Sequence, residues 1–304
     1  MVTPHSERSP QTPTVLTFLT TWRLDPVALI AIVLAGGIYG GAIVHLRRRG
    51  HRWPLVRTLA FYLLGLGSYA WVSFGFLGAY SVELRWAFTT RIALLLFAVP
   101  ALVTLGKPVA LTRIVLSGVP LRMLNSALRS WPARLFGNAI FAPLFACAAF
   151  LVFLTPAAAT LRDNAPSQWA ITILVPLAGL LMVLPIGEHT THRTSLFITA
   201  EFLFAFVEMV LDAIPGILLR LNGSVLDHAP AVVGSLPTWF PNPLHDQHLS
   251  GDFLWFIAEI VDVPVLVVLF MRWTRTDRRE AKQLDDLSDE EMEALTLAHL
   301  RGGR

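Results

Sequence analysis

The chain reads as an all-α polytopic membrane protein, a seven-transmembrane-helix bundle with its N-terminus outside and its C-terminus in the cytoplasm. Three observations predict this. Hydrophobic residues make up 54% of the 304 positions and charged residues 15%, with a mean hydropathy of +0.59, whereas a soluble domain has about a quarter of its residues charged. Seven apolar runs come close to the roughly 20 residues that a helix needs to cross a bilayer core: 26–46, 54–76, 86–106, 136–155, 168–187, 196–221 and 251–271. The 24 Lys and Arg divide unevenly over that scheme, with 18 in loops on one side, 4 on the other, and Arg91 and Arg220 inside spans. By the positive-inside rule the crowded side is cytoplasmic, and an odd number of spans keeps the alternation. The runs are too long for an outer-membrane barrel and lack its period-two pattern. A pI near 9.4 is compatible with nucleic acid, but cations placed beside spans point to the lipid bilayer as the partner.

The elements follow in order. Residues 1–25 form an extracytoplasmic segment rich in Pro, Ser and Thr. It lacks the basic stretch and long apolar core of a signal peptide, so the first span is expected to act as its own insertion signal. Within that span Gly36, Gly37, Gly40 and Gly41 make overlapping small-xxx-small pairs, read as packing inside the bundle ahead of an oligomer contact. Pro54 suits the first turn of the second helix. Residues 107–134 interleave Arg113, Arg122 and Arg129 with Leu116, Leu121 and Leu128, which fits a helix lying on the membrane surface or a solvated basic loop. Cys147 is the single cysteine, so it forms no internal disulfide and reads as a packing residue. The connection 222–250 holds Trp239, Phe240, four prolines, His228, His245, Asp246 and His248, and its length marks a functional or mobile loop. The transmembrane domain covers 26–272. The charged tail 273–304 includes Ser288 and Glu291, a capping box for a short helix.

Charges inside the apolar runs are the strongest functional signal, because a mid-bilayer charge is costly unless it pairs or meets water. Arg91 lies roughly 8 Å below the outer end of its span, within snorkelling reach. Asp212 lies roughly 14 Å and Glu208 roughly 20 Å below the outer surface. These two carboxylates are four residues apart and share one helix face, just before Pro215 and Gly216. Asp252, Glu259 and Asp262 follow in the last run. The expectation is a polar cluster of Arg91, Glu208, Asp212 and Glu259 around a cavity open to the outside, with Arg91 as counter-ion to Asp212 or Glu208. The simpler alternative is a snorkelling arginine with protonated carboxylates.

Motifs of soluble chemistry, GxGxxG, GxxxxGK[ST] and HExxH, are absent from the sequence. Two HxxH strings occur, His189 to His192 beside Glu188 and His245 to His248 around Asp246. An HxxH string in a loop is a weak metal signal, and His245, Asp246 and His248 stand as the candidate metal group.

Several strings together resemble the cytochrome c oxidase assembly factor family of the CtaG type. They are Trp22-Arg-Leu-Asp25-Pro26, LRRRGHRWPLVRTLAF, RIALLLFAVPALVTLGKPVAL, PNPLHDQHLSGDFLW and RWTRTDRREAKQLDD, which cover most of the chain in order. The resemblance implies seven helices in a bacterial plasma membrane and a non-enzymatic role in oxidase assembly. It also implies cytochrome c oxidase subunits as partners and copper as the metal handled, with some relatives fused to copper-resistance D-type domains. It implies histidines in an HxxQH-like signature that falls here on Phe88, Arg91 and Ile92, a further pair at Thr172 and Leu174, and one near Glu208. Copper prefers imidazole and sulfur ligands, and this chain has none at those positions. Two versions of the assembly role follow, one with copper on the outer face and one a metal-free scaffold held by an ion-pair network. A proton-coupled or ion transporter using Glu208, Asp212 and Glu259 is the alternative from another class, although no internal repeat of the transporter kind is evident.

Overall fold

A computed structural model describes residues 14–138, 141–188, 195–226 and 242–285, with part of the side chains beyond residue 184 outside the description. The described residues are helical and contain no strand. A short helix α1 (Val15–Thr20) precedes α2 (Pro26–Arg48). Asp25 caps α2 by accepting from the Val27 and Ala28 amides at 2.9 and 3.3 Å, and Pro26 occupies the first helical position, where its missing N–H costs nothing. Two helices, α3 (Leu55–Ala79) and α4 (Arg85–Leu105), follow. Each contains a π-helical stretch, Ala60–Leu66 and Leu94–Ala98 respectively.

Three short helices, α5 (Pro108–Val115), α6 (Gly118–Leu128) and α7 (Trp131–Phe136), take up the basic stretch expected to lie on the membrane surface. The fourth expected run is shorter than anticipated. Here α8 (Phe141–Leu154) ends where Thr155 and Pro156 break the helix, and α9 (Ala157–Asp163) leaves at 88°. Proline cannot continue the ladder of the preceding turn. The last helices are α10 (Ala165–Glu188), α11 (Ser195–Leu221) and α12 (Pro243–Asp285), of 24, 27 and 43 residues. By length and composition α2, α3, α4 and α10 can each cross a membrane, and α8 with α9 makes a fifth if the bent pair is one span.

The expected outer loop 222–250 is corrected at its far end: α12 begins at Pro243, so His245 to His248 lie on its first turns. Asn242 accepts from the Leu244 amide at 2.8 Å, the capping role its side chain favours. The His189 to His192 string, His228, Trp239, Phe240 and the Ser288 capping box lie outside the described residues.

The centre of the bundle is α4, the most enclosed of the candidate spans, whereas α2 is the least. Phe88, Ile92 and Leu96 of α4 form one core with Phe150 and Phe153 from α8, Ile171 from α10, Leu219 from α11 and Leu254 from α12. Helices meet at backbone distance in two places. A Cβ on Gly179 of α10 would collide with the Leu96 carbonyl of α4, and Gly216 of α11 faces Gly251 of α12, whose carbonyl oxygen lies 2.8 Å from where a Gly216 Cβ would stand. On α2 the small residues pack inward as expected on one face. Tyr62 donates to the Gly36 carbonyl at 2.6 Å, while nothing approaches Gly37 or Gly41.

An apolar cavity of about 430 Å³ lies between α2, α3, α4, α5 and α10, with Ala31, Ala35, Tyr39, Phe61, Val103 and Leu177 on its walls.

Candidate functional site

Two buried polar clusters sit on α4, six residues apart in sequence. The first surrounds Arg91, which is 3% exposed and therefore does not snorkel. Its Nη1 donates to Gln168 Oε1 and its Nη2 to Thr172 Oγ1, both at 2.7 Å, and Asp25 Oδ2 stands 3.7 Å from Nη2. Gln168 is fixed in turn by donating Nε2 to the Leu161 and Arg162 carbonyls at 3.2 and 3.1 Å. Thr172 Oγ1 directs its proton to the Gln168 carbonyl at 2.8 Å, and Tyr69 donates to the Thr172 carbonyl at 2.9 Å. The cluster therefore joins the cap of α2 to α3, α4 and α10. Asp25 uses one oxygen to cap α2 and turns the other toward the guanidinium.

The sequence anticipated a different partner. Among the described residues the carboxylate meeting Arg91 is Asp25, so of the two expected counter-ions, Asp212 and Glu208, the pairing with Asp212 is corrected. The reason is that α10 and the N-terminus of α2, not α11 and α12, flank this face of α4. Asp212 is buried at 1% exposure on α11, and Glu259 is half-buried on α12. The side chain of Glu208 lies outside the described residues. Among the described residues Arg91 is held by Asp25, Gln168 and Thr172, and the polar side chains form separate, closely hydrogen-bonded clusters.

The second cluster joins the start of α4 to the start of α12. Asp246, 1% exposed, accepts from the Arg85 amide through Oδ2 and from the Trp86 amide through Oδ1, both at 2.8 Å. A carboxylate from a distant helix thus supplies the cap for α4, where orphan amides and the helix dipole favour negative charge. The Arg85 guanidinium, also buried, donates to Gln247 Oε1 at 2.9 Å and to the Phe153 carbonyl. Gln247 Oε1 also accepts from the Leu226 amide at 2.9 Å, while its Nε2 donates to the Ser224 carbonyl at 3.0 Å. One helical turn further, Thr89 and Ser250 hydroxyls meet at 2.7 Å. Arg85 and Arg162 were not singled out from the sequence, and Gln247 entered only as part of the phrase PNPLHDQHLSGDFLW that carries the resemblance. Arg85 and Arg162 belong to the four cations that the seven-span expectation put on the sparse side, and both are 2% exposed.

The candidate metal group does not converge. His245 is exposed on α12 and His248 Nε2 lies 3.2 Å from the Asn222 carbonyl, while both Asp246 oxygens already hold amides. Among the described residues no three His, Cys, Asp or Glu side chains come together as a metal site. Asp252 pairs instead with Arg220 at 3.0 Å, both about half exposed.

Residues 37–276 match the model of the cytochrome c oxidase caa3 assembly factor family. The chain belongs to that family. Among curated relatives it is similar to uncharacterized proteins of Mycobacterium bovis and Mycobacterium tuberculosis, each 29% identical over 299 residues, covering 94% of this chain and 45% of the relative. A Mycobacterium leprae uncharacterized protein is 27% identical over 297 residues, covering 92% of this chain and 43% of the relative. The chain thus spans less than half the length of the curated relatives it matches. No solved structure matches it.

Copper, which the resemblance to this assembly factor family brought with it, does not fit the donor set. The positions where that resemblance places histidines hold Phe88 and Ile92, both in the apolar core, and Thr172, whose hydroxyl is bonded to Arg91. A guanidinium fixed between them repels a metal cation, and copper takes imidazole or sulfur in preference to hydroxyl or amide oxygen.

Proposed function

We propose that this chain is a membrane-embedded assembly factor for cytochrome c oxidase in a bacterial plasma membrane, working as a non-enzymatic, metal-free scaffold. On this reading it crosses the membrane seven times with an outside N-terminus, and oxidase subunits are its partners. The observation carrying the metal-free version is the Arg91 cluster. Arg91 and Thr172 meet at 2.7 Å at positions where the resemblance places a copper-ligand signature, and with Asp25 and Gln168 they bind one another in place of an ion. Such a cluster ties four helices into one arrangement, the property a docking scaffold needs. The test is gentle solubilisation from the native membrane followed by analysis of co-purifying proteins and of copper content. Oxidase subunits recovered with substoichiometric copper are expected. Stoichiometric copper that disappears on combining His245→Ala with His248→Ala would overturn the metal-free version, and an oxidase that matures normally in a deletion strain would overturn the assembly role.

A second reading is a proton-coupled carrier relaying through Glu208, Asp212 and Glu259. Its support is the burial of Asp212 at 1% exposure on a helix that continues through Pro215. pH-driven solute uptake in vesicles, abolished by Asp212→Asn, is the result it requires.

A further inference from the structure

The apolar cavity has a shape and chemistry that the assembly role does not use. Along α2 it runs from Ala31 to Ala42, about 16 Å at about 1.5 Å per residue, which is close to half of a hydrocarbon layer about 30 Å thick. Its volume of about 430 Å³ lies within the roughly 300–1,000 Å³ usual for small-molecule sites. The deep wall is built from Tyr39, Phe61, Tyr69, Val99 and Leu111, all buried. The mouth lies between α2 and α10, where Leu34, Ile38 and Leu177 are exposed, so it opens sideways toward the lipid layer.

Both π-helical stretches border this space. Phe61 and Leu66 belong to the first, and Val99 and Pro100 directly follow the second. Such stretches occur mostly at functional positions, since each costs regular hydrogen bonding. The hydroxyls on the walls are already engaged. Tyr39 donates to the Gly106 carbonyl at 2.8 Å, Tyr69 to Thr172, Thr112 to the Pro108 carbonyl at 2.8 Å, and Thr172 binds Arg91. An occupant therefore finds no free polar handle inside, which disfavours a quinone ring with carbonyls to satisfy. An empty apolar space beside lipid would forfeit dispersion contacts that a hydrocarbon chain restores. At the end formed by Pro108, Leu111 and Thr112, the adjoining Lys107 and Arg113 are exposed, where cations meet lipid phosphates.

We infer that this cavity holds one acyl chain of an anionic phospholipid, with the chain inside the bundle and the phosphate beside Lys107 and Arg113. The lipid is a structural ligand drawn from the leaflet on the basic side.

The full chain, reconstituted in phospholipid nanodiscs containing a phosphatidylglycerol with a mid-chain diazirine, is irradiated, digested and mapped. Adducts on 31–42 and 99–111 are expected above those on the lipid-facing positions Leu63 and Leu151. Ala35→Phe and, separately, Ala42→Phe fill the cavity from its two halves, and each is expected to lower the cavity adducts about tenfold while leaving those at Leu63 unchanged. The Leu63 signal and an unchanged melting transition show that the variant is folded. Uniform labelling insensitive to both substitutions would overturn the inference. So would displacement of the label by an isoprenoid quinone but not by excess unlabelled phosphatidylglycerol. Replacing phosphatidylglycerol with phosphatidylcholine is expected to weaken the cavity adducts, and equal labelling by the two would remove the role of Lys107 and Arg113.

Discussion

Replacing Asp246 with alanine strips the start of α4 of both its caps at once. The Arg85 and Trp86 amides each lose an acceptor at 2.8 Å in a place that water does not reach, since Asp246 is 1% and Arg85 2% exposed. Leaving a buried donor unsatisfied costs about 1–3 kcal/mol, so two cost about 2–6 kcal/mol. Asp246→Asn keeps one acceptor and turns an amide NH2 toward the other donor, so about half of that loss is expected. His245→Ala, one position away and exposed, should stay within about 0.5 kcal/mol. The assay is reversible unfolding in mixed micelles titrated with SDS, run with and without added copper. If Asp246→Ala costs less than about 1 kcal/mol, the capping geometry is refuted. If the three substitutions instead give equal losses that vanish once copper is chelated, Asp246 is a metal ligand together with its histidine neighbours.

Other outcomes follow from the same geometry. Asp25→Asn removes the counter-charge of the buried Arg91 and should cost about 3–5 kcal/mol. Combining it with Arg91→Met should cost less than the sum of the two, measured as a double-mutant cycle in the same unfolding assay. Gly251→Ala drives a methyl group into the Gly216 carbonyl and should cost about 1–3 kcal/mol, whereas Gly37→Ala, with nothing within 4 Å, should change stability by no more than about 0.5 kcal/mol. Arg220→Ala breaks a pair that is about half exposed on both sides and should cost no more than about 1 kcal/mol.

The helical class was legible because every expected span carries its own apolar run. The charge carrying the most structural information, Arg91, was legible for the same reason. Its partner was not, because Asp25 lies 66 positions earlier and reads completely as the cap before Pro26. A carboxylate has two oxygens, and the one not needed for capping is what the pattern hides. Asp246 was misplaced in a loop since Pro241, Asn242 and Pro243 look like breakers. Yet Asn followed by Pro is also a helix start, a signal that could have brought His245 to His248 onto α12. Arg85 and Arg162 carried a weaker cue: they are two of only four cations on the side that should have few. The π-helical stretches leave no periodic trace, because one extra residue per turn looks like noise in an all-apolar run.

The length of α12 has a mechanical consequence. Its 43 residues make a rod about 65 Å long, roughly twice the thickness of the hydrocarbon layer. The rod crosses α11 at Gly251, where the two backbones touch, and that contact is the fulcrum for any tilt of the rod. From that fulcrum to Asp285 the lever arm is about 50 Å, so a tilt of about 10° sweeps the far end through roughly 9 Å. The Asp246 end lies about 7.5 Å from the fulcrum, about a seventh of that arm, so the same tilt moves it by only about 1 Å.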